Sequence, residues 1–304
     1  MLREPRPKRD AERAAARSAF QTHGNPMPTP FDGPAKIRLQ NIRKSFGTSE
    51  RRIVALDDVD LAVGVGEFVT VVGPSGCGKS TLFNVIVGLL PPDPGGELYI
   101  DGQPQALDHL LGRVAFMPQR DMLMPWRSVL DNAILAAEID GVPRATARAR
   151  AMAALERFGL HGFENHYPQQ LSGGMRQRVA LMRTFLFDRD IMLLDEPFGA
   201  LDALTRALMQ RWLLEVWSEF KRTVLFITHD IDEAIYLGDR VVVMSARPGR
   251  IKLDMPVRLG RPRPADVIIA PEFVALKREL LAAVEAESLK AFAAMSRPGA
   301  DEDA

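Results

Sequence analysis

Phe68-Val69-Thr70-Val71-Val72-Gly73-Pro74-Ser75-Gly76-Cys77-Gly78-Lys79-Ser80 is the stretch that decides the fold. Its first five residues are β-branched or aromatic, read as a short buried strand, and stop at Gly73. Gly73 to Ser80 then fits G-x-x-x-x-G-K-[ST], and Ser80 to Leu90 has helical spacing. Strand, glycine-rich loop and helix in that order make a phosphate-binding loop. Glycines at Gly73, Gly76 and Gly78 let the loop turn the N–H groups around Ser75 and Cys77 inward as an anion nest, while Pro74, which has no N–H, only shapes it. The helix N-terminus adds partial positive charge. Lys79 is placed for β- and γ-phosphate oxygens, and Ser80 offers a hydroxyl to Mg²⁺. Thr81 lies beside the phosphates, at the α-phosphate. Cys77 reads as a small residue that fits the loop. The other reading is a thiol made reactive by the helix N-terminus.

Two further apolar runs end in polar residues. Ile191-Met192-Leu193-Leu194 stops at Asp195-Glu196, and Val224-Leu225-Phe226-Ile227 stops at Thr228-His229. Such strands, alternating with helices, predict a parallel α/β sheet with its site at the carboxyl ends of the strands. Asp195 would hold Mg²⁺, and Glu196 would act as general base or orient the attacking water. Ile37 to Ile42 alternates as a half-buried strand. Residues 128–185 show helical spacing and no strand, and read as a helical subdomain inserted into the sheet domain. Glu272 to Met295 reads as a helix packed on the domain. Residues 1–35 read as a disordered extension, with a transient helix at 10–20. Their bases could touch anionic lipid, but interleaved acids favour a solvated tail. Asp301-Glu302-Asp303 reads as a solvated end.

Composition excludes several classes. Lys plus Arg and Asp plus Glu are both 39 in 304 residues, so the formal net charge is zero. That argues against sequence-independent nucleic-acid binding, which needs cationic excess. One cysteine leaves no disulfide framework and no multi-cysteine zinc site. No run approaches the length of a membrane span, and no apolar stretch follows the basic N-terminus, so a secretory signal is not expected.

The two phosphate-site motifs are shared by kinases, GTPases and helicases. Leu171-Ser172-Gly173-Gly174-Met175 separates these, because it resembles the LSGGQ signature of the ATP-binding-cassette (ABC) ATPases, with Met175 at the Gln position. The other motifs come in the family's order: Phe46 for an adenine-stacking aromatic, Gln119 for the Q-loop, Phe198 to Asp202 for the D-loop, and His229 for the switch histidine. Gly199 departs from the family's usual Ser. The resemblance covers about residues 36–260. It implies an α/β P-loop NTPase (RecA-like) parallel sheet core, an N-terminal antiparallel β-subdomain and an inserted α-helical subdomain at about 120–185. Residues 261–304 follow as a C-terminal helical extension. It also implies that ATP and Mg²⁺ bind at Phe46, the loop and Asp195, with Gln119 also at the metal. By the same resemblance, Glu196, His229 and Gln119 would carry hydrolysis. It further implies that Ser172, Gly173, Gly174 and Asp202 would face the γ-phosphate held by a second copy in a head-to-tail homodimer. Phe46 could equally belong to the core.

Long coiled coils, as in repair-type members, do not fit between Gly73 and Leu171. There is one P-loop, unlike translation-type members, and no fused membrane domain. Arg120 to Asn132, Ser245 to Ile251 and Asp254 to Pro264 resemble the nitrate/sulfonate/taurine importer ATPases. The resemblance implies the energy subunit of an importer, peripheral at the cytoplasmic face of the cell membrane. Its partners would be transmembrane permeases and, indirectly, a periplasmic or lipid-anchored solute-binding protein. A soluble, non-transport regulatory ABC ATPase is the alternative. Met122, Leu123, Met124 and Trp126 form an apolar cluster expected to receive the permease's coupling helix, with Met122 to Met124 more exposed than Trp126.

Overall fold

The computed structural model describes residues 34–48 and 51–295. The expected N-terminal extension, its helix at 10–20 and the acidic end at 301–303 lie outside these residues, but for 34 and 35.

A six-stranded sheet is built around β3 (Phe68–Val72). β8 (Thr223–Ile227) and β9 (Arg240–Met244) pair with it in parallel, one on each side. β7 (Ile191–Asp195) follows β8, and β6 (Ala115–Met117) follows β7, again in parallel. β10 (Ile251–Pro256) closes the other edge antiparallel to β9. The order is β10-β9-β3-β8-β7-β6. Every residue of β3, β7, β8 and β9 is buried, which explains why they read as continuous apolar runs rather than alternations.

The period of two sorts these residues onto two cores. Phe68, Val72, Met192, Leu194, Val224 and Phe226 face one core, with most of the helices. Val69, Val71, Ile191, Leu193, Leu225 and Ile227 face the other. That second core lies under α1 (Lys79–Ile86) and an antiparallel sheet of β1 (Ala35–Gly47), β2 (Arg52–Gly64), β4 (Glu97–Ile100) and β5 (Gln103–Pro104). In β1 the register against β2 shifts between Leu39 and Ile42, where Asn41 takes φ 53°. The bulge returns Ile42 to the buried face already used by Ile37 and Leu39.

A short α2 (Leu107–Leu110) precedes β6. Four helices then lie between the neighbouring strands β6 and β7: α3 (Val129–Ala133), α4 (Leu135–Ile139), α5 (Arg144–Leu155) and α6 (Gly173–Leu186). This is the inserted helical unit. α7 (Ala203–Phe220) connects β7 to β8, and α8 (Ile231–Leu237) connects β8 to β9. Finally α9 (Pro271–Met295) packs back on α8, burying Phe273 and Leu280 completely and pairing Lys277 with Asp232 at 2.8 Å. Two such apolar side chains contribute about 3–6 kcal/mol together, enough to seat the helix.

Candidate active site

The loop after β3 takes the shape its glycines permit. Gly78 has φ 105°, and a Cβ there would lie 2.8 Å from Leu56 Cδ2 and 2.9 Å from the Ala55 carbonyl oxygen. At Gly73, φ 156°, a Cβ would meet the Met244 carbonyl oxygen at 2.8 Å. Gly78 caps α1 without a side chain, so no protein side chain competes for the first N–H groups of the helix. Lys79 folds across this loop and donates to the carbonyl oxygens of Gly73 at 2.8 Å and Pro74 at 3.1 Å. An anion entering the loop exchanges those neutral carbonyls for charged oxygens, a stronger partner for an ammonium group.

Cys77 is buried, and burial pushes its thiol pKa up despite the nearby Lys79. The small-residue reading therefore describes it, not the reactive-thiol reading.

Beside the loop lies a cleft of about 500 Å³. Phe46 and Ile53, from the ends of β1 and β2, form one wall. Phe46 is 40% exposed with Lys44 Nζ 5.5 Å from its ring centre, so it is not a core residue. Ser75, Gly76, Gly78, Lys79, Ser80 and Thr81 form the floor, and Gln119 and Glu196 the far end. Arg247 closes the rim, its Nε donating to the Gly76 carbonyl oxygen at 3.2 Å. Sequence reading placed Arg247 only in a segment shared with a branch of the family. Its approach to Gly76 depends on the turn after β9, which no local pattern announces.

Asp195, the last residue of β7, is buried. Burial pushes its pKa up, against a hydrogen bond from the Ser80 side chain. Glu196 follows at φ 49°, an uncommon conformation for a non-glycine residue. Its N–H donates to the Ile227 carbonyl oxygen at 3.0 Å. Its Oε2 accepts from Gln119 Nε2 at 3.1 Å and lies 3.6 Å from His229 Nδ1. Three loops, after β6, β7 and β8, thus meet at one carboxylate, as the sheet order requires.

Ser172, Gly173, Gly174 and Asp202 do not line this cleft. Ser172 caps α6, its hydroxyl accepting from the Met175 N–H at 3.2 Å. The helix starts at Gly173. A Cβ on Gly174 would lie 3.1 Å from Leu201 Cδ2, so the helix start packs on the 199–202 loop. Asp202 caps α7 through the Thr205 N–H at 3.0 Å, and such hydrogen bonds hold its carboxyl below the usual range. Gln177 joins these parts. Its Nε2 donates to the Glu196 carbonyl oxygen at 3.0 Å, and its Oε1 accepts from the Ala200 N–H at 2.8 Å. Sequence reading missed Gln177, whose only signal was its place on the inward face of α6.

The expected exposure of the 122–126 cluster is corrected. Trp126 is 72% exposed and Met122 59%, whereas Leu123 is 9% exposed and joins the first core. The cause is Asn132, fully buried on α3. Its Nδ2 donates to the carbonyl oxygens of Met124, Arg127 and Ser128, and its Oδ1 accepts from the Met124 N–H. Held from inside, the loop turns Leu123 inward and Trp126 outward.

Among known proteins, the family model described as ABC transporter matches residues 56–199. An uncharacterised ABC transporter ATP-binding protein of Methanocaldococcus jannaschii is 45% identical over 84% of this chain and 93% of its own length. The chain belongs to the ABC transporter ATPase family. An aliphatic sulfonates import ATP-binding protein of Bacillus cereus is 42% identical to this cassette, over 75% of the chain and 88% of the relative. A taurine import ATP-binding protein of Rhizobium johnstonii is 44% identical over 76% and 89%. This is the branch that Arg120 to Asn132 and Ser245 to Ile251 resemble. A dimeric structure of a bacterial ABC transporter cassette aligns with TM-score 0.66 and 34% identity, over 74% of this chain and all of that one. The same cassette is also known in a dimeric post-hydrolysis state bound to ADP and Pi. The cassette is accordingly an ATP-binding, transport-coupled ATPase.

Proposed function

We propose that the cassette is the energy-coupling subunit of an importer for a small solute, of the anionic nitrate, sulfonate or taurine kind. The observation that carries the reading is the 42–44% identity to sulfonate and taurine import ATP-binding proteins. In this reading a homodimer of cassettes docks on transmembrane permeases at the cytoplasmic face of the membrane, and a solute-binding protein delivers the cargo outside. Among the described residues no helix is long and apolar enough to cross a membrane, so the span falls to the partners. The ATPase unit is assigned to about 36–260, with a C-terminal helical extension at 261–304.

The site residues take roles that follow from their chemistry. Lys79 leaves the Gly73 and Pro74 carbonyls for the β,γ-phosphate oxygens. Phe46 offers its exposed face to the adenine ring. The loop from Gly73 to Gly78 and the first turn of α1, with Ser80 and Thr81, receive the phosphates on N–H groups. The Glu196 carboxylate accepts a proton from the attacking water, while Gln119 and His229 hold that carboxylate and the γ-phosphate in line. Ser172, Gly173, Gly174 and Asp202 complete the site of the opposite subunit. Their position outside this chain's own cleft supports that division.

The donor set suits Mg²⁺: a hydroxyl on Ser80 already bonded to the buried Asp195 carboxylate, with an amide oxygen on Gln119, all hard oxygens. Among the described residues no group of three acidic, histidine or cysteine side chains is placed to hold a metal ion by itself, and in this reading phosphate oxygens and water would supply the remaining ligands. When bound, the ion would neutralise charge on the β- and γ-phosphates.

Trp126, exposed on a loop fixed by Asn132, is the assigned permease contact, since aromatic residues dominate binding hot spots. The test is uptake of labelled taurine and an alkanesulfonate by a strain lacking this chain, with and without complementation. Restored uptake of either supports the reading, and uptake independent of the chain refutes the solute class. Trp126→Asp should leave ATP binding and folding intact yet reduce permease co-purification at least tenfold, because a large exposed aromatic becomes a charge. Unchanged co-purification would move the contact elsewhere.

A further inference from the structure

A second cleft, of about 420 Å³, lies between α7, the C-terminal end of α8 and the 261–263 strap. We propose that it binds a small organic oxyanion, a carboxylate or sulfonate carrying a short apolar tail.

Charge is the first argument. Arg211, Lys221, Arg261 and Arg263 line the cleft against one carboxylate, Glu215. The whole chain is neutral, so this excess is local. Arg261 is compensated by Asp239 at 2.8 Å. Among the described residues, no carboxylate lies within 4 Å of Arg211, Lys221 or Arg263. Arg240, the other buried arginine among the described residues, does have such partners: it lies 3.0 Å from Asp254 and 3.3 Å from Glu67.

Arg263 is the clearest case. It is 5% exposed, and its Nη1 donates to the carbonyl oxygens of Ile235, Tyr236 and Gly238 at 2.8 Å each. Those bonds cap the end of α8 and hold the guanidinium in place, but all three partners are neutral. Its Nε is buried with no partner. Burial, then the neighbouring Arg261 charge, pulls its pKa to about 10, so it stays cationic at neutral pH. The result is a fixed positive charge that feels Asp239 only at a distance, across Arg261, and has no carboxylate in direct contact, at the wall of an open cleft.

Preorganisation is the second argument. Arg261 and Lys221 both lie over the Trp217 ring, at 4.3 and 4.6 Å from its centre. Two of the cations are therefore held rather than free to sweep solvent, which lowers the entropy cost of gripping an anion. Leu214 and Pro262 give the cleft an apolar wall, which is why the ligand is assigned a tail and not read as bare sulfate or phosphate.

Calorimetry on the full chain saturated with Mg-ADP, which fills the nucleotide loop, tests this in low-chloride buffer. The probes are propane-1-sulfonate, propionate, sulfate and phosphate. Saturable binding is expected for at least one organic probe, more tightly than for the inorganic anions. The double variant Arg211→Gln, Lys221→Gln changes two exposed residues remote from the nucleotide cleft. It should keep ADP affinity and weaken organic-anion binding by about tenfold or more, since charge-assisted contacts are lost. No saturable binding by any probe up to about 20 mM, a wet and weak regime, overturns the site. Equal binding by the double variant places the anion elsewhere. Binding of the inorganic anions as tightly as the organic ones overturns the assigned ligand class.

Discussion

Glu196→Gln removes a proton acceptor while preserving shape. In the wild type, one oxygen of Glu196 accepts from Gln119 Nε2 at 3.1 Å and lies 3.6 Å from His229 Nδ1. A glutamine can present its amide oxygen at that position, so the bond from Gln119 survives. The backbone at φ 49° is held by the Ile227 carbonyl and by Gln177, neither of which the substitution touches. Stability should therefore change by less than about 1 kcal/mol, the net value of one hydrogen bond. The chemical step fares differently. An amide cannot take a proton from water, and loss of a positioned general base costs about 10²–10⁴ in rate. That corresponds to about 3–5.5 kcal/mol on the barrier. The variant also removes a negative charge whose proximity raises the Asp195 pKa, so the metal-side carboxylate ionises more readily and Mg-ATP should bind at least as well. The assay is phosphate release at saturating Mg-ATP, with nucleotide affinity and thermal midpoint measured on the same preparation. Hydrolysis within threefold of wild type, with normal binding, would refute the assignment of Glu196 as base.

Lys79→Ala should lose most ATP affinity, because no other cation of the loop faces the phosphates; Ser172→Arg should bind ATP normally yet fail to hydrolyse it, and equal loss of binding in both, measured by equilibrium dialysis, would contradict a site shared between two copies. Cys77 should react slowly with maleimide whether or not Mg-ATP is present, and fast only in denaturant, since the thiol is buried and its pKa raised; fast labelling of the native protein would show the loop is more open than described. Glu233 is buried, its carboxyl bonded by Gln210 at 2.8 Å, and burial raises its pKa. A raised native pKa means the group contributes stability below its unfolded pKa, about 4.3, and loses it as pH rises through the native value. Glu233→Gln should thus gain melting temperature relative to wild type on going from pH 4 to pH 8, and a relative loss over that range would reverse the sign. Gln177→Leu leaves the Ala200 N–H and Glu196 carbonyl without partners, so urea unfolding should show a loss of about 2–4 kcal/mol; an unchanged midpoint would mean those bonds are replaced by water.

The sheet was legible because its strands are buried on both faces and so read as continuous apolar runs ending in polar residues. The loop was legible because glycine, lysine and a hydroxyl side chain occupy positions where few other residues meet the same backbone and charge demands. The order of the strands was not written locally: Gln119, Glu196 and His229 come together only because β6, β7 and β8 are neighbours. Arg247 escaped for the same reason, lying beyond β9 in sequence and beside Gly76 in space. Exposure in the 122–126 cluster was misread because apolar content cannot tell which side chain a loop turns inward. The deciding residue, Asn132, is polar, and its amide fixes the loop from within. That Arg211, Lys221 and Arg263 have no carboxylate in contact could not be seen at all, since it is a property of three-dimensional surroundings.

Gln177 gives these pieces a mechanical relation. Ser172, at the start of α6, is the residue proposed to face the nucleotide of the opposite subunit. Gln177, one turn further along the same helix, holds the main chain of Glu196 and of Ala200 in its own subunit. A helix of this length does not bend cheaply, because displacing one turn breaks backbone hydrogen bonds in the next. Movement of Ser172 toward a partner's phosphate must therefore carry the Gln177 amide with it. Either Glu196 and the 199–202 loop follow, or two buried hydrogen bonds break, each at a cost of about 1–3 kcal/mol. Following costs less, provided the loop can shift as a unit, and the packing of Leu201 against Gly174 lets it do so. The surface that each cassette would lend to its neighbour is thus attached to the carboxylate with which it would hydrolyse its own ATP. In that proposed arrangement, closure at one nucleotide would adjust the base at the other through this chain's own side chains.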